Sequence, residues 1–242
     1  EAPVYSALVA VAPTAPSLDT LVTTARAIDI FQPASVFQPG TNPQPVLIGK
    51  VTKDNEGNPL DFTGSYVHQI VFNDDGTLAF IAARNNKIYV FDTMTQDIVS
   101  TFKVSGASSP ISSLLFHDGW LYVAERGGSG ASGRLIRINV DSGPDFLKKQ
   151  QSLGIPGVEA AFGFGDIAIN SGRYLAVTAA AGRIGLNNYP VPSPGNVYVI
   201  DLYGVNAKSN IDPAYVVKLD LLAYPSPYLG KGLKLLWGAH RG

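Results

Sequence analysis

Cysteine is absent from this 242-residue sequence, which removes disulfides, thiolate zinc sites and cysteine nucleophiles at one stroke. That absence fits a secreted or surface protein folding without disulfides, although it separates compartments only weakly. Charge is scarce as well. Charged residues make up 15% of the chain, below the usual quarter or so. The 18 basic and 19 acidic residues leave a formal net charge of −1, and Lys and Arg form no run. Nucleic acid and anionic membrane surfaces are therefore poor partners, because nothing accumulates to neutralise phosphates. No apolar stretch reaches the roughly 18 residues that a membrane-spanning helix needs, so no membrane insertion is expected. The apolar patch Tyr5–Ala12 has no basic region before it and leads into more strand-like sequence. It reads as a strand, and a signal peptide, if one exists, lies upstream or has been removed.

What the chain does have is apolar residues at 45%, with 25 Gly and 17 Pro. Many short strands joined by tight turns would use that composition. The clearest unit runs from His68 to Val104: HQIVF, the turn NDDG, TLAFIAAR, the turn NN, KIYVFDT and QDIVSTFKV. Each segment alternates or is continuously apolar over four to eight residues and is bounded by turn residues, which is the strand pattern. Two further copies follow. ISSLLF, HDG, WLYVAER, GRLIRINV and FLKKQQSL fill the same places, and then GDIAI, NSG, RYLAVTAA, NVYVIDL and AYVVKLDL. The matching residues Phe72, Phe116 and Ile169 are spaced by 44 and 53 residues. Four strands repeating every ~40–50 residues is the period of a β-propeller.

Upstream, VYSALVAVA, ARAIDIF and PVLIGKV match second, third and fourth strands, leaving that blade without a first strand. The expected fold is thus all-β, about four consecutive four-stranded blades at roughly 1–53, 66–106, 110–155 and 164–222. Residues 223–242 form a tail or the start of another blade. Two closures stay open. The tail around Leu233–Trp237 supplies the missing strand of a four-bladed ring, or the chain is part of a larger ring; the second is favoured.

The His68–Val104 unit resembles the YVTN-type bacterial propeller repeat, and AIDIFQP…NPQPVLIGKV resembles the related LVIVD repeat. The matching positions are core and turn residues, specific for fold and poor for function. The resemblance implies an extracellular, periplasmic or cell-surface bacterial protein in which the propeller is a binding or scaffold module. Some relatives of that kind are lactonases, but no catalytic set can be matched here.

Function is expected on the face carrying the approaches to the first strands and the second-to-third strand connections. Those connections lengthen along the chain: Arg84-Asn85-Asn86, then Glu125–Gly133, then Ala181–Gly195. Long connections are where binding is commonly placed. The candidate ligand-binding residues are His68, Gln69, Arg84, Asn85, Asn86, Glu125, Arg126, Asp166 and Arg183. Ser112, Ser113 and Gly165 occupy positions equivalent to His68 and Asp166. No catalytic residue is assigned. His117, in the HDG turn, reads as a solvent-exposed turn residue and His240 as part of the tail. GGSGASG lacks the Lys and following helix of a phosphate loop. DNEGNPLD at 54–61 offers calcium only a broken ligand pattern and reads first as a polar turn, so no cofactor is expected. Strand aromatics such as Phe80, Tyr89, Phe116 and Tyr174 read as packing between blades. A non-catalytic module binding a protein or glycan is the first reading, and a hydrolase or lactonase-like enzyme with a channel site the alternative.

Overall fold

The computed structural model describes residues 9–11, 20–31, 46–63, 69–83, 86–104, 110–126, 133–140, 150–155, 163–179, 182–184, 190–192, 196–205 and 211–220. Four antiparallel four-stranded sheets follow one another along the chain. Sheet 1 is β1 (Val9–Val11), β2 (Thr20–Thr23), β3 (Ile28–Phe31) and β4 (Leu47–Val51). Sheet 2 is β5 (Ile70–Phe72), β6 (Leu78–Ala82), β7 (Lys87–Asp92) and β8 (Asp97–Lys103). Sheet 3 is β9 (Ile111–His117), β10 (Trp120–Glu125), β11 (Leu135–Asn139) and β12 (Gln150–Leu153). Sheet 4 takes β13 (Phe164–Asn170), β14 (Tyr174–Ala179), β17 (Asn196–Asp201) and β18 (Val216–Asp220). Between β14 and β17 stands a separate hairpin, β15 (Gly182–Ile184) against β16 (Pro190–Pro192). Each first strand lies against the next: β1 on β5, β5 on β9 and β9 on β13. These sheets are consecutive blades of a β-propeller.

Two expectations change. Sheet 1 has its own first strand, β1, and the second place is taken by Thr20-Leu21-Val22-Thr23. That segment is only four residues long and sits among polar residues, so it reads as a connection in the sequence. The turn that makes it a strand is tight: the Thr24 backbone N–H and Oγ1 both donate to the Ala27 carbonyl, at 2.8 and 3.3 Å. Sheet 1 therefore needs no strand from the tail, and residues 223–242 lie outside the described residues. The second change is the β15–β16 hairpin, placed where an irregular loop was expected.

The turns behave as their residues dictate. In the β5–β6 turn Gly76 takes φ 71°, and Asn73 closes the hairpin with its backbone N–H on Leu78 O at 3.0 Å. The Asp75 carboxylate accepts from Thr77 Oγ1 and N, which holds its carboxyl below the ordinary range. The 54–61 segment is a closed polar turn: Asp54 Oδ1 accepts from the N–H groups of Glu56 and Asn58 at 3.0 and 2.8 Å.

The core sits between sheets. Leu21, Ile28 and Ile30 of sheet 1 pack with Ile81, Tyr89 and Phe91 of sheet 2. Phe80, Ile88 and Val90, on the other face of sheet 2, pack with Leu114, Leu121 and Val123 of sheet 3. Tyr122, Ala124 and Leu135 of sheet 3 pack with Leu175, Val177, Tyr198 and Ile200 of sheet 4. Aromatics bridge as expected: Phe80 stacks on Phe116 at 5.7 Å, and Phe62 meets Tyr89 edge-on at 5.5 Å. Burying one such aromatic or branched aliphatic side chain contributes about 1.5–3 kcal/mol, so a three-residue patch outweighs any single surface ion pair. Among the described residues no fourth cluster joins sheet 4 to sheet 1.

One core group is anomalous. The Tyr198 ring is 1% exposed, yet its hydroxyl has no hydrogen-bond partner. Desolvating that oxygen costs free energy that packing of the ring must offset. Tyr198→Phe is expected to leave stability unchanged or to raise it by up to about 1 kcal/mol in urea unfolding. A loss larger than that would mean that the hydroxyl has found a partner.

Candidate functional site

The face expected to carry function is built at one end of the sheets, where the first strands start and the second strands stop. Each first strand has one edge paired within its own sheet and another edge turned to the neighbouring first strand. Backbone groups on that second edge need partners that the sheet does not supply. Side chains supply them. Gln69 Oε1, just ahead of β5, accepts from the Leu114 N–H in β9 at 2.6 Å. Ser112 Oγ in β9 donates toward the carbonyls of Phe164 and Gly165 in β13, at 2.6 and 3.1 Å. Ser113 Oγ accepts from Ile167 N–H at 3.4 Å. The positions matched in the sequence as equivalent are thus occupied by groups that stitch one sheet to the next.

Asp166 has a different setting. The register of β13 on β14 shifts between Phe164 and Ile167, and the bulge presents Asp166 to solvent. Its backbone N–H is taken by Thr178 Oγ1 at 2.9 Å. Gly165 makes that possible, since a Cβ there would lie 2.4 Å from the same Thr178 oxygen.

Glu125 and Arg126 close β10. The Glu125 side chain is nearly fully buried, and both carboxylate oxygens are held by Arg134, Nε at 2.6 Å and Nη2 at 3.0 Å. A bidentate fork of this kind fixes geometry as well as charge. Backbone bonding reinforces it, with Glu125 N–H on Arg134 O at 2.8 Å. The pair clamps the two ends of the 127–132 segment, which lies outside the described residues. Arg126 is exposed; its N–H donates to Pro110 O at 2.9 Å and its backbone bridges to Gly163 of the next blade. Gly133 sits where that bridge passes: a Cβ would stand 2.2 Å from Gly163 Cα and 2.4 Å from Glu125 O.

Asn86, in the β6–β7 turn, is buried at φ 59°, and its carbonyl accepts from Val104 N–H at 2.9 Å. Arg183 lies in β15, paired through the backbone with Val191. His68, Arg84 and Asn85 lie outside the described residues. Among the described residues no group of three or more His, Asp or Glu is placed to hold a metal.

Sequence reasoning missed Arg134, Thr178, Gly133 and Gly163. A signal for the first was present: opposite charges flank the Gly/Ser run in ERGGSGASGR. The others depend on close approach between blades and leave no local pattern. On the opposite end His117 is no free turn residue, since its Nε2 lies 2.8 Å from Gly172 O in the next blade. That end also carries an unforeseen cluster in which Arg173 grips Asp201 at 2.9 and 3.0 Å through Nε and stacks on Tyr203 at 4.5 Å. The guanidinium holds the Asp201 carboxyl below its usual range. Tyr174, expected to pack between blades, is 40% exposed beside it.

No family model matches the chain, and no curated protein matches it. Among solved structures it is similar to the Neurospora crassa Pan2 WD40 domain, at 15% identity and a TM-score of 0.49, over 83% of this chain and 49% of that one. It is also similar to a chain in a crystal structure of the mitotic checkpoint complex, at 13% identity and a TM-score of 0.47, over 83% of this chain and 53% of that one. This chain spans about half the length of each.

Because Gln69 serves the fold, Gln69→Ala is expected to lower stability by about 1–3 kcal/mol by orphaning the Leu114 N–H, measured by urea unfolding. Gly133→Ala is expected to cost more than Gly133→Ala-sized changes on the surface, about 1–3 kcal/mol, because backbone must move; thermal unfolding reports it.

Proposed function

We propose that this chain is a non-catalytic binding or scaffold module of the YVTN/LVIVD-like propeller type, from a secreted or surface-exposed bacterial protein. It engages a protein or glycan through the face that carries the 127–132 segment and the β15–β16 hairpin. One observation carries the reading: the polar groups at the foot of this face are committed to holding it. Gln69, Ser112 and Ser113 stitch first strands together, and Glu125 is buried in its fork with Arg134. What rises from that rigid base, exposed Asp166 and Arg126 and the residues around Arg183, is left for recognition. Binding residues on connections held by a rigid scaffold are a general arrangement. The reading requires no cofactor, and a net charge of −1 gives nucleic acid no purchase.

The test replaces residues 181–195 by a short Gly-Ser turn and compares the two proteins on arrays of bacterial cell-surface glycans and of displayed peptides. Wild type is expected to bind a defined subset, and the replacement to weaken binding by at least about tenfold with its melting curve retained. Turnover of a panel of lactones by the wild-type chain would replace this reading with an enzymatic one.

A further inference from the structure

We propose that two copies of this chain associate head to tail, the outer face of sheet 4 in one copy against the outer face of sheet 1 in the other, closing a ring of eight sheets. The argument rests on positions that repeat from blade to blade. Phe80 in β6 and Tyr122 in β10 occupy one place, and both point at the following sheet, where they are buried. The same place in β14 is Ala176. Ile88 and Leu135 are likewise buried against the following sheet, at 0% and 1% exposure, and their counterpart in β17 is Val197. Val90 corresponds to Arg137 and to Val199. In sheet 4, Ala176, Val197 and Val199 are only half-buried, and Val217 beside them in β18 is 56% exposed. Cross-strand pairing puts them on one face, Ala176 opposite Val199 and Val199 opposite Val217.

Sheet 1 shows the complement. Tyr89 and Phe91 of β7 are buried against the preceding sheet at 1% exposure each. Their counterparts in β3 are Asp29 and Phe31, both half-buried, with Val22 paired opposite Asp29. Asp29 meets Lys50 at 3.3 Å, so the charge on this face is already paired. The chain thus holds three face-to-face interfaces of one kind and leaves one unpaired half of each polarity. Continuity with those interfaces identifies the occupant: the surface that fits after sheet 4 is a sheet-1 face, and a second copy carries one. Two identical head-to-tail junctions close, as a two-fold pair must, and eight blades lie within the range of propeller rings, about four to eight. The first strands whose ends support the candidate site would surround a complete channel only in the pair.

Light scattering on the eluting protein over a dilution series tests this. Wild type is expected at twice the 25.6 kDa of one chain. Val199→Lys and Phe31→Lys, each at a half-buried position of one outer face, are expected to weaken association at least about 100-fold by burying an unpaired charge, with unchanged melting of the single chain. Mixing the two variants is expected to restore a two-chain particle, since one unaltered junction then forms. A wild-type monomer, whether the faces are covered by the chain's own tail or by nothing, overturns the proposal. So do variants that still pair, or a mixture of folded variants that stays monomeric, which would point to a different contact.

Discussion

Face-to-face burial between successive sheets is the constraint on which everything else in this chain depends. A sheet of four short strands has two faces and cannot be stable with both in water. Sheets 2 and 3 solve this by being apolar on both sides, so β6, β7, β10 and β11 read as nearly continuous buried runs. Sheet 4 is instead buried at alternate positions, as β17 shows most clearly. Stability in such an array is a sum of neighbour terms, with each blade leaning on the one beside it.

The polar groups follow from that packing. Once first strands are brought side by side, their inner edges carry donors and acceptors with no partners of their own. Gln69, Ser112 and Ser113 answer this from the neighbouring blade, and His117 does so at the opposite end. At the rim, Gln150 Nε2 reaches Lys103 O at 3.0 Å. These bonds set the register of blade on blade, while the apolar faces supply most of the free energy.

Much of the fold was legible because strand periodicity and turn chemistry are local. NDDG, HDG and NSG each mark a first-to-second hairpin, and Gly76, Gly119 and Gly172 take the positive φ that only such turns demand. Sheet 1 was half legible. β3 and β4 carry the repeat pattern, but β2 is four residues long and is defined by its pairing with β1 and β3, which sequence does not display. The candidate site was legible as a place and not as chemistry. Gln69 and Glu125 were picked out as polar residues near a mouth, and their partners Leu114 N–H and Arg134 show them to be structural. Which polar residue is spent on the fold depends on what the next blade brings within 3 Å, and that is a non-local fact.

Arg137 has a meaning beyond its own contacts. It is 9% exposed, stacks on Trp120 at 4.2 Å and donates through Nε to Gln151 Oε1 at 3.1 Å, and burial pulls the affinity of its guanidinium for a proton down. Its counterparts Val90 and Val199 need no such company. The interface after sheet 3 is therefore the one that cannot be exchanged for its neighbours: a valine there would leave Trp120 without its cation, and an arginine elsewhere would be buried with no ring to lie on. Blades that look alike in sequence are in this way addressed, so that duplication or shuffling of units along the chain is tolerated on one side of sheet 3 and refused on the other.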